Sequence, residues 1–161
     1  MLKNVFIVLV RPHLEFANVV WSPRLIKDTK LIEGVQRRAT KLVNDLQTLS
    51  YEERLRNIDL PSLVYRRIRG DMIEVYKYTH GFYSTIFDLL NIAQDINTRG
   101  HTLKLFLKFC KANARQNYFS NRVVNTWNKL PSSIVNAPSL NSLKAMLDNL
   151  WKDYKYSVEL R

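Results

Sequence analysis

Residues 117–131, NYFSNRVVNTWNKLP, set Tyr118, Phe119 and Trp127 among Arg122, Lys129 and four asparagines, with no acidic residue. At 100° per residue, Phe119, Val123, Trp127 and Leu130 fall on one stripe and Arg122, Asn125 and Lys129 on another. This spacing predicts a helix from about Tyr118 to Lys129, stopped by Pro131, with one stripe for a core and the other for a surface that meets a polyanion. A further helix follows from about Ser139 to Tyr154, with Leu140, Leu143, Leu147, Leu150 and Trp151 on one side.

Start and stop signals divide the preceding chain in the same way. Asp28 reads as the cap of a helix running to about Leu46, Ser50 and Glu53 have capping-box spacing, and Pro61 suits the first turn of a helix ending near Gly81. The opening MLKNVFIVLVRP carries a six-residue apolar run broken by Arg11-Pro12, too short for a secretory leader or a membrane span, and reads as a buried helix or strand. Residues 82–98 are poorly patterned and read as a connector. After Arg99-Gly100, HTLKLFLKF sets Leu103, Leu105 and Leu107 against Lys104, Phe106 and Lys108, which makes residues 101–109 the best strand candidate and the place for one small β-hairpin. The expectation is a mainly α, single-domain helical bundle over residues 1–161.

Charge is unevenly distributed. Lysine and arginine number 25 against 14 acidic residues, a net charge of +11; with a pI near 9.9, this favours nucleic acid over an acidic small molecule. Between Asp95 and Asp148 there is no acidic residue, yet Arg99, Lys104, Lys108, Lys111, Arg115, Arg122, Lys129 and Lys144 all lie there. In the helix expected from Asp28, Leu31, Val35, Ala39, Leu42 and Leu46 make an apolar face. Lys30, Gly34, Arg37 and Lys41 lie opposite it, with Arg38 between. Gly34 would let a phosphate approach that ridge. Within YRRIRGDMIEVYKY, Arg67 shares a face with Asp71 and Glu74 and is expected in a structural ion pair, while Arg66 and Arg69 are candidates to face a partner. Tyr65, Tyr76 and Trp127 lie on apolar stripes and read as core rather than as base-stacking platforms. The candidate nucleic-acid contacts are thus Lys30, Arg37, Arg38 and Lys41, then Arg66 and Arg69, then Arg99, His101, Lys104, Lys108, Arg115, Arg122 and Lys129.

The pattern offers no catalytic or metal-binding residues and calls for no cofactor. The single cysteine, Cys110, forms no internal disulfide and no zinc knuckle. Two-metal chemistry needs clustered carboxylates, and none cluster here. His13, His80 and His101 are dispersed, although His101 beside Arg99 and Lys104 suits a phosphate. No serine sits in a nucleophile elbow and no glycine loop cradles phosphate. An intracellular setting, nuclear or cytoplasmic, and no membrane partner are expected.

Six blocks, LVRPHLEFANVVWSP, LIEGVQRRATKLV, LSYEERLRNIDLPSLVYRRIRGDMIEVYKYTHG, TRGHTLKLF, YFSNRVVNTWNKLP and NAPSLNSLKAMLDNLW, occur in this order. In order and spacing they resemble the region after the polymerase palm in jockey-like, LINE-type non-LTR retrotransposon reverse transcriptases. The resemblance covers nearly the whole chain and is weakest over residues 82–97. It implies a parent RNA-directed DNA polymerase whose catalytic aspartates lie outside this chain. Residues 1–81 would be thumb-like helices, with Arg11 to Pro23 leading into the thumb and Lys30 to Lys41 as a backbone-tracking helix. Residues 99–161 would be a basic carboxy-terminal extension. The expected role is to hold RNA, DNA or their hybrid without sequence specificity and without catalysis. The alternatives are a protein-interaction module that docks on the polymerase palm or self-associates, exposing apolar residues around Val5–Val10 and Phe16–Trp21, and a decayed retroelement remnant.

Overall fold

The structure, a computed structural model, describes residues 2–23, 25–83, 90–93, 100–111 and 113–158. It is mainly α-helical. The order is α1 (Leu2–Val5), a π-helical turn (Phe6–Val10), α2 (Arg11–Glu15), α3 (Asn18–Trp21), α4 (Ile26–Lys41), α5 (Tyr51–Asn57) and α6 (Leu63–Thr79). There follow α7 (Asn113–Gln116), α8 (Phe119–Asn128), α9 (Ser132–Val135), α10 (Leu140–Leu150) and a 3-10 turn (Lys152–Tyr154). The chain divides into two compact units, Met1–Ile68 with Trp151–Arg161, and Arg69–Leu150. The division falls inside α6.

In the first unit, Phe6, Tyr51, Leu55 and Leu60 form the core, and Ile7, Val10, Leu14, Ala39, Ile58, Tyr156 and Val158 pack on it. The opening segment is therefore helical, but only one of its faces is buried. Its π turn precedes Pro12, which has no N–H to give the preceding turn and whose ring crowds the carbonyl four residues back; the widened turn, closed by Arg11 N–H donating to Phe6 O, fits that constraint. The capping box at Ser50 forms as expected, with Ser50 N–H donating to Glu53 Oε2 at 2.8 Å and Glu53 N–H to Ser50 Oγ at 3.4 Å.

α4 corrects the expected helix at both ends and in its buried face. It starts at Ile26, so Asp28 lies in the first turn instead of capping it, and it stops at Lys41; Asp45 beyond it adopts a left-handed φ of 66°. The buried stripe is Thr29, Glu33, Gln36 and Thr40. It is centred about a third of a turn from the apolar stripe, leaving Leu31 at 70% exposure and Leu42 also exposed.

Glu33, Gln36 and Thr40 are tolerated inside because each makes hydrogen bonds there. The first amide groups of a helix have no acceptor in their own helix. Those of Leu63 and Val64 donate to the two carboxylate oxygens of Glu33 at 3.2 and 3.3 Å, and that of Tyr65 donates to Ser62 Oγ at 3.1 Å. Tyr51 Oη donates to Glu33 Oε1 at 2.6 Å. Gln36 Nε2 donates to Pro61 O, and Arg54 Nε to Thr40 Oγ1. Burial, and then the adjacent Glu33 charge and its hydrogen bond, push the Tyr51 hydroxyl far above its ordinary pKa, so it remains a donor. The carboxy-terminal strand of chain returns to this unit through Ser62 Oγ donating to Ser157 O at 2.7 Å and Lys155 Nζ to Asp59 at 2.7 Å.

The second unit places Phe119, Val123, Trp127 and Leu130 in the interior, the stripe read from the sequence. Leu143 and Leu147 of α10 are fully buried, as are Met72, Val75 and Tyr76 of α6. Tyr76 Oη donates to Ala137 O at 2.6 Å, and Ser139 Oγ caps α10 by accepting from Ser142 N–H at 3.2 Å.

The expected β-hairpin at 101–109 is not formed among the described residues; only an isolated antiparallel bridge joins Ile92 and Leu105. The reason is that side chains of α8 take the hydrogen bonds a partner strand would have used. Trp127 Nε1 donates to Leu103 O at 2.7 Å, and Asn128 both accepts from Leu105 N–H and donates to Leu105 O, each at 2.9 Å.

Replacing Glu33 by Ala orphans three buried donors and is expected to cost about 3 kcal/mol or more in urea unfolding of the whole chain, whereas Tyr51→Phe removes one donor and costs about 1–2 kcal/mol. Equal, small effects would show that the carboxylate does not hold these helices together.

Candidate nucleic-acid interface

Along α4, the ridge of Lys30, Arg37 and Lys41 is exposed, as is Arg38. The ion pairs of this unit lie elsewhere: Arg11 and Arg66 with Glu15, Arg56 with Glu52, and Lys155 with Asp59. None among the described residues takes up Lys30, Arg37, Arg38 or Lys41. The Arg37 guanidinium sits 4.9 Å from the centre of the Tyr51 ring, a cation–π contact that leaves the residue exposed. Lys30, Gly34 and Arg37, with Ile26, Val64 and Val158, line a cavity of about 600 Å³. A Cβ built on Gly34 meets nothing within 4 Å, so this glycine leaves open space on the ridge.

Other candidates are placed differently. Arg66 is bound to Glu15 through both carboxylate oxygens, the Nη2 contact at 2.8 Å, and Arg69 is bound to Asp148 at 2.6 and 2.9 Å. Arg122 is bound to Asp71 at 2.9 and 3.0 Å. These three arginines are structural ion pairs, and their bidentate geometry uses the donors a phosphate would need. Glu74 pairs with Lys77 and accepts from the Tyr83 hydroxyl, and Arg67 is buried.

His101 is 2% exposed. Its Nε2 donates to Trp127 O at 3.1 Å and its ring stands edge-on to Trp127 at 5.9 Å, so it faces the interior rather than a phosphate. Its Nδ1 has no hydrogen-bond partner among the described residues. Burial is the main cause that lowers its pKa below the ordinary 6.5, opposed by the Trp127 carbonyl and assisted by the nearby Lys104 charge. Tyr65, Tyr76 and Trp127 are core residues, as their stripes indicated.

Lys108, Arg115 and Lys129 are exposed, Lys104 is half-buried, and Arg99 lies outside the described residues. The structure therefore brings together one candidate set, the α4 ridge, and keeps Lys108, Arg115 and Lys129 outward in the second unit. The sequence reading missed the exposed aromatic rings around Lys108, Phe106 at 60% and Phe109 at 87% exposure, with Tyr118 also outward. Their signal was the interleaving of phenylalanine and lysine in FLKFCK, read instead as strand alternation.

Neutral His101 fits its buried site, while in the unfolded chain it takes up a proton below about pH 6.5. Unfolding free energy is therefore expected to be nearly flat from pH 7.5 down to about 6.5 and to fall as pH drops from there to 5.5. His101→Gln is expected to flatten the fall, measured by urea titration across that range; an unchanged slope would mean another group titrates.

No helix among the described residues is long and apolar enough to cross a membrane. Comparison with known protein families, with curated proteins and with solved structures found no match to this chain.

Proposed function

We propose that this chain is a nucleic-acid-binding fragment of a non-LTR retrotransposon reverse transcriptase that grips the sugar-phosphate backbone of RNA, DNA or their hybrid without reading sequence. The observation that carries the reading is the α4 ridge: Lys30, Arg37, Arg38 and Lys41 are exposed, take part in no ion pair among the described residues, and flank the open space at Gly34. Cations left without carboxylates gain most from a polyanion, because phosphate contacts release condensed counterions. The order and spacing of the sequence blocks support the retrotransposon part, with the chain holding template and primer rather than carrying the polymerase aspartates.

Binding to labelled single strand, duplex and RNA-DNA hybrid of one sequence, followed by fluorescence anisotropy across a salt series, tests the reading. Four phosphate contacts predict a log-log salt slope of about −3 to −4, and Arg37→Glu with Lys41→Glu is expected to reduce it by about 2 units while weakening all three ligands. A folded chain that binds none of them at low salt would overturn the proposal.

A second reading, docking on the polymerase palm or self-association, is favoured by the exposed apolar residues of the first unit. Phe16 is 78% exposed and Val20 81%, and Val5, Val8, Leu9 and Trp21 are also outward. Patches of this kind mark interaction surfaces. If they self-associate, sedimentation velocity shows a species that grows with concentration and disappears in Val8→Asp/Val20→Asp; a monomer at every concentration removes self-association.

A further inference from the structure

Residues 106–109, Phe-Leu-Lys-Phe, form an arc whose side chains are all exposed although both ends are anchored. At the first end Leu105 is buried, its backbone held on both sides by the Asn128 side chain at 2.9 Å. Phe106 N–H donates to Asn91 O at 2.8 Å, and Ala93 N–H to Lys104 O at 2.9 Å. At the other end Cys110 is buried: Gln116 Nε2 donates to its carbonyl at 3.0 Å and Asn121 Nδ2 to its Sγ at 3.1 Å. The same Asn121 amide donates to Arg115 O at 3.0 Å, and its backbone N–H donates to Tyr118 O, also at 3.0 Å, which brings the exposed Tyr118 into the neighbourhood of this anchor.

Large apolar rings held outward are costly in water, and here none is needed for packing. The cations beside them are Lys108, Lys111 and Arg115, all exposed and in no ion pair among the described residues. The acidic groups described in this unit are engaged elsewhere: Asp71 with Arg122, Glu74 with Lys77, and Asp148 with Arg69. Exposed rings alternating with cations that no described carboxylate pairs match a ligand that presents flat faces and negative charges in alternation.

We propose that the arc 106–109, with Tyr118, is a stacking platform for the unpaired bases of a single-stranded nucleic acid, whose phosphates meet Lys108, Lys111 and Arg115. The proposal rests on the nucleic-acid reading for its class of partner, but it assigns a different surface and a different form of ligand from the α4 ridge. Bases in a duplex are already stacked on each other, so the platform discriminates against duplex; the ridge, which meets only phosphates, does not.

The test measures the full chain with oligo(dT) and oligo(rU) single strands, a duplex of equal length, and vesicles containing anionic lipid. Phe106→Ala/Phe109→Ala removes exposed rings and is expected to leave the unfolding midpoint unchanged. It is expected to weaken single-strand binding by about tenfold or more with little change in salt slope, while duplex binding stays as in the parent chain. Phe109→Trp is expected to retain single-strand affinity and to show its added fluorescence quenched by the oligonucleotide. Single-strand affinity unchanged in the double variant, or a loss confined to vesicles, overturns the platform. Because Arg37→Glu/Lys41→Glu acts on the ridge alone, duplex binding that falls with this variant and not with the phenylalanine variant leaves the backbone-gripping reading intact when the platform fails.

Discussion

The carboxylate of Glu33 is the constraint on which the first unit depends. It lies in the middle of α4, is buried, and accepts from the first two amides of α6 and from the Tyr51 hydroxyl. A buried charge is tolerated only when hydrogen bonds replace its hydration, and a helix amino terminus supplies both donors and a favourable dipole. With that contact made, the rotation of α4 about its axis is fixed. Thr29, Gln36 and Thr40 turn inward with Glu33, Lys30, Arg37 and Lys41 come to one flank, and Leu31 and Leu42 are left outward. The direction in which the basic ridge faces thus follows from where one acid is buried.

A similar division of labour separates structural from available cations in the second unit. Arg69 and Arg122 meet aspartates in paired, two-oxygen contacts, and Lys77 meets Glu74. These contacts engage the described carboxylates, so the exposed surplus positive charge includes Lys108, Lys111, Arg115 and Lys129. Net charge alone gives the sign of a partner; pairing decides which residues remain to meet it.

Asparagine has a comparable role around the arc. Asn128 offers a donor and an acceptor to one residue, Leu105, and so imitates the two bonds of a neighbouring strand. Asn121 connects the sulfur of Cys110 to the carbonyl of Arg115. Side chains on α8 thereby hold extended chain in place without a sheet, and the rings between the two anchors have no interior to enter.

The sequence by itself determined what depends on near neighbours. The Ser50–Glu53 capping box, the limits of α8 between Tyr118 and Lys129, and the buried stripe of Phe119, Val123, Trp127 and Leu130 all follow from residues within a few positions of one another. The ridge residues Lys30, Arg37, Arg38 and Lys41 were also legible, since helical periodicity groups them whatever the helix packs against. Tertiary structure decided which stripe of α4 faces inward, because the partners of Glu33 are one hydroxyl and two backbone amides 18 to 31 residues away, so hydrophobic spacing carried no sign of them. It likewise assigned Arg66, Arg69 and Arg122 to carboxylates 51 to 79 residues distant and turned His101 onto Trp127. Long-range pairing is decided by which groups the folded chain brings within hydrogen-bond distance, and local periodicity contains no record of that.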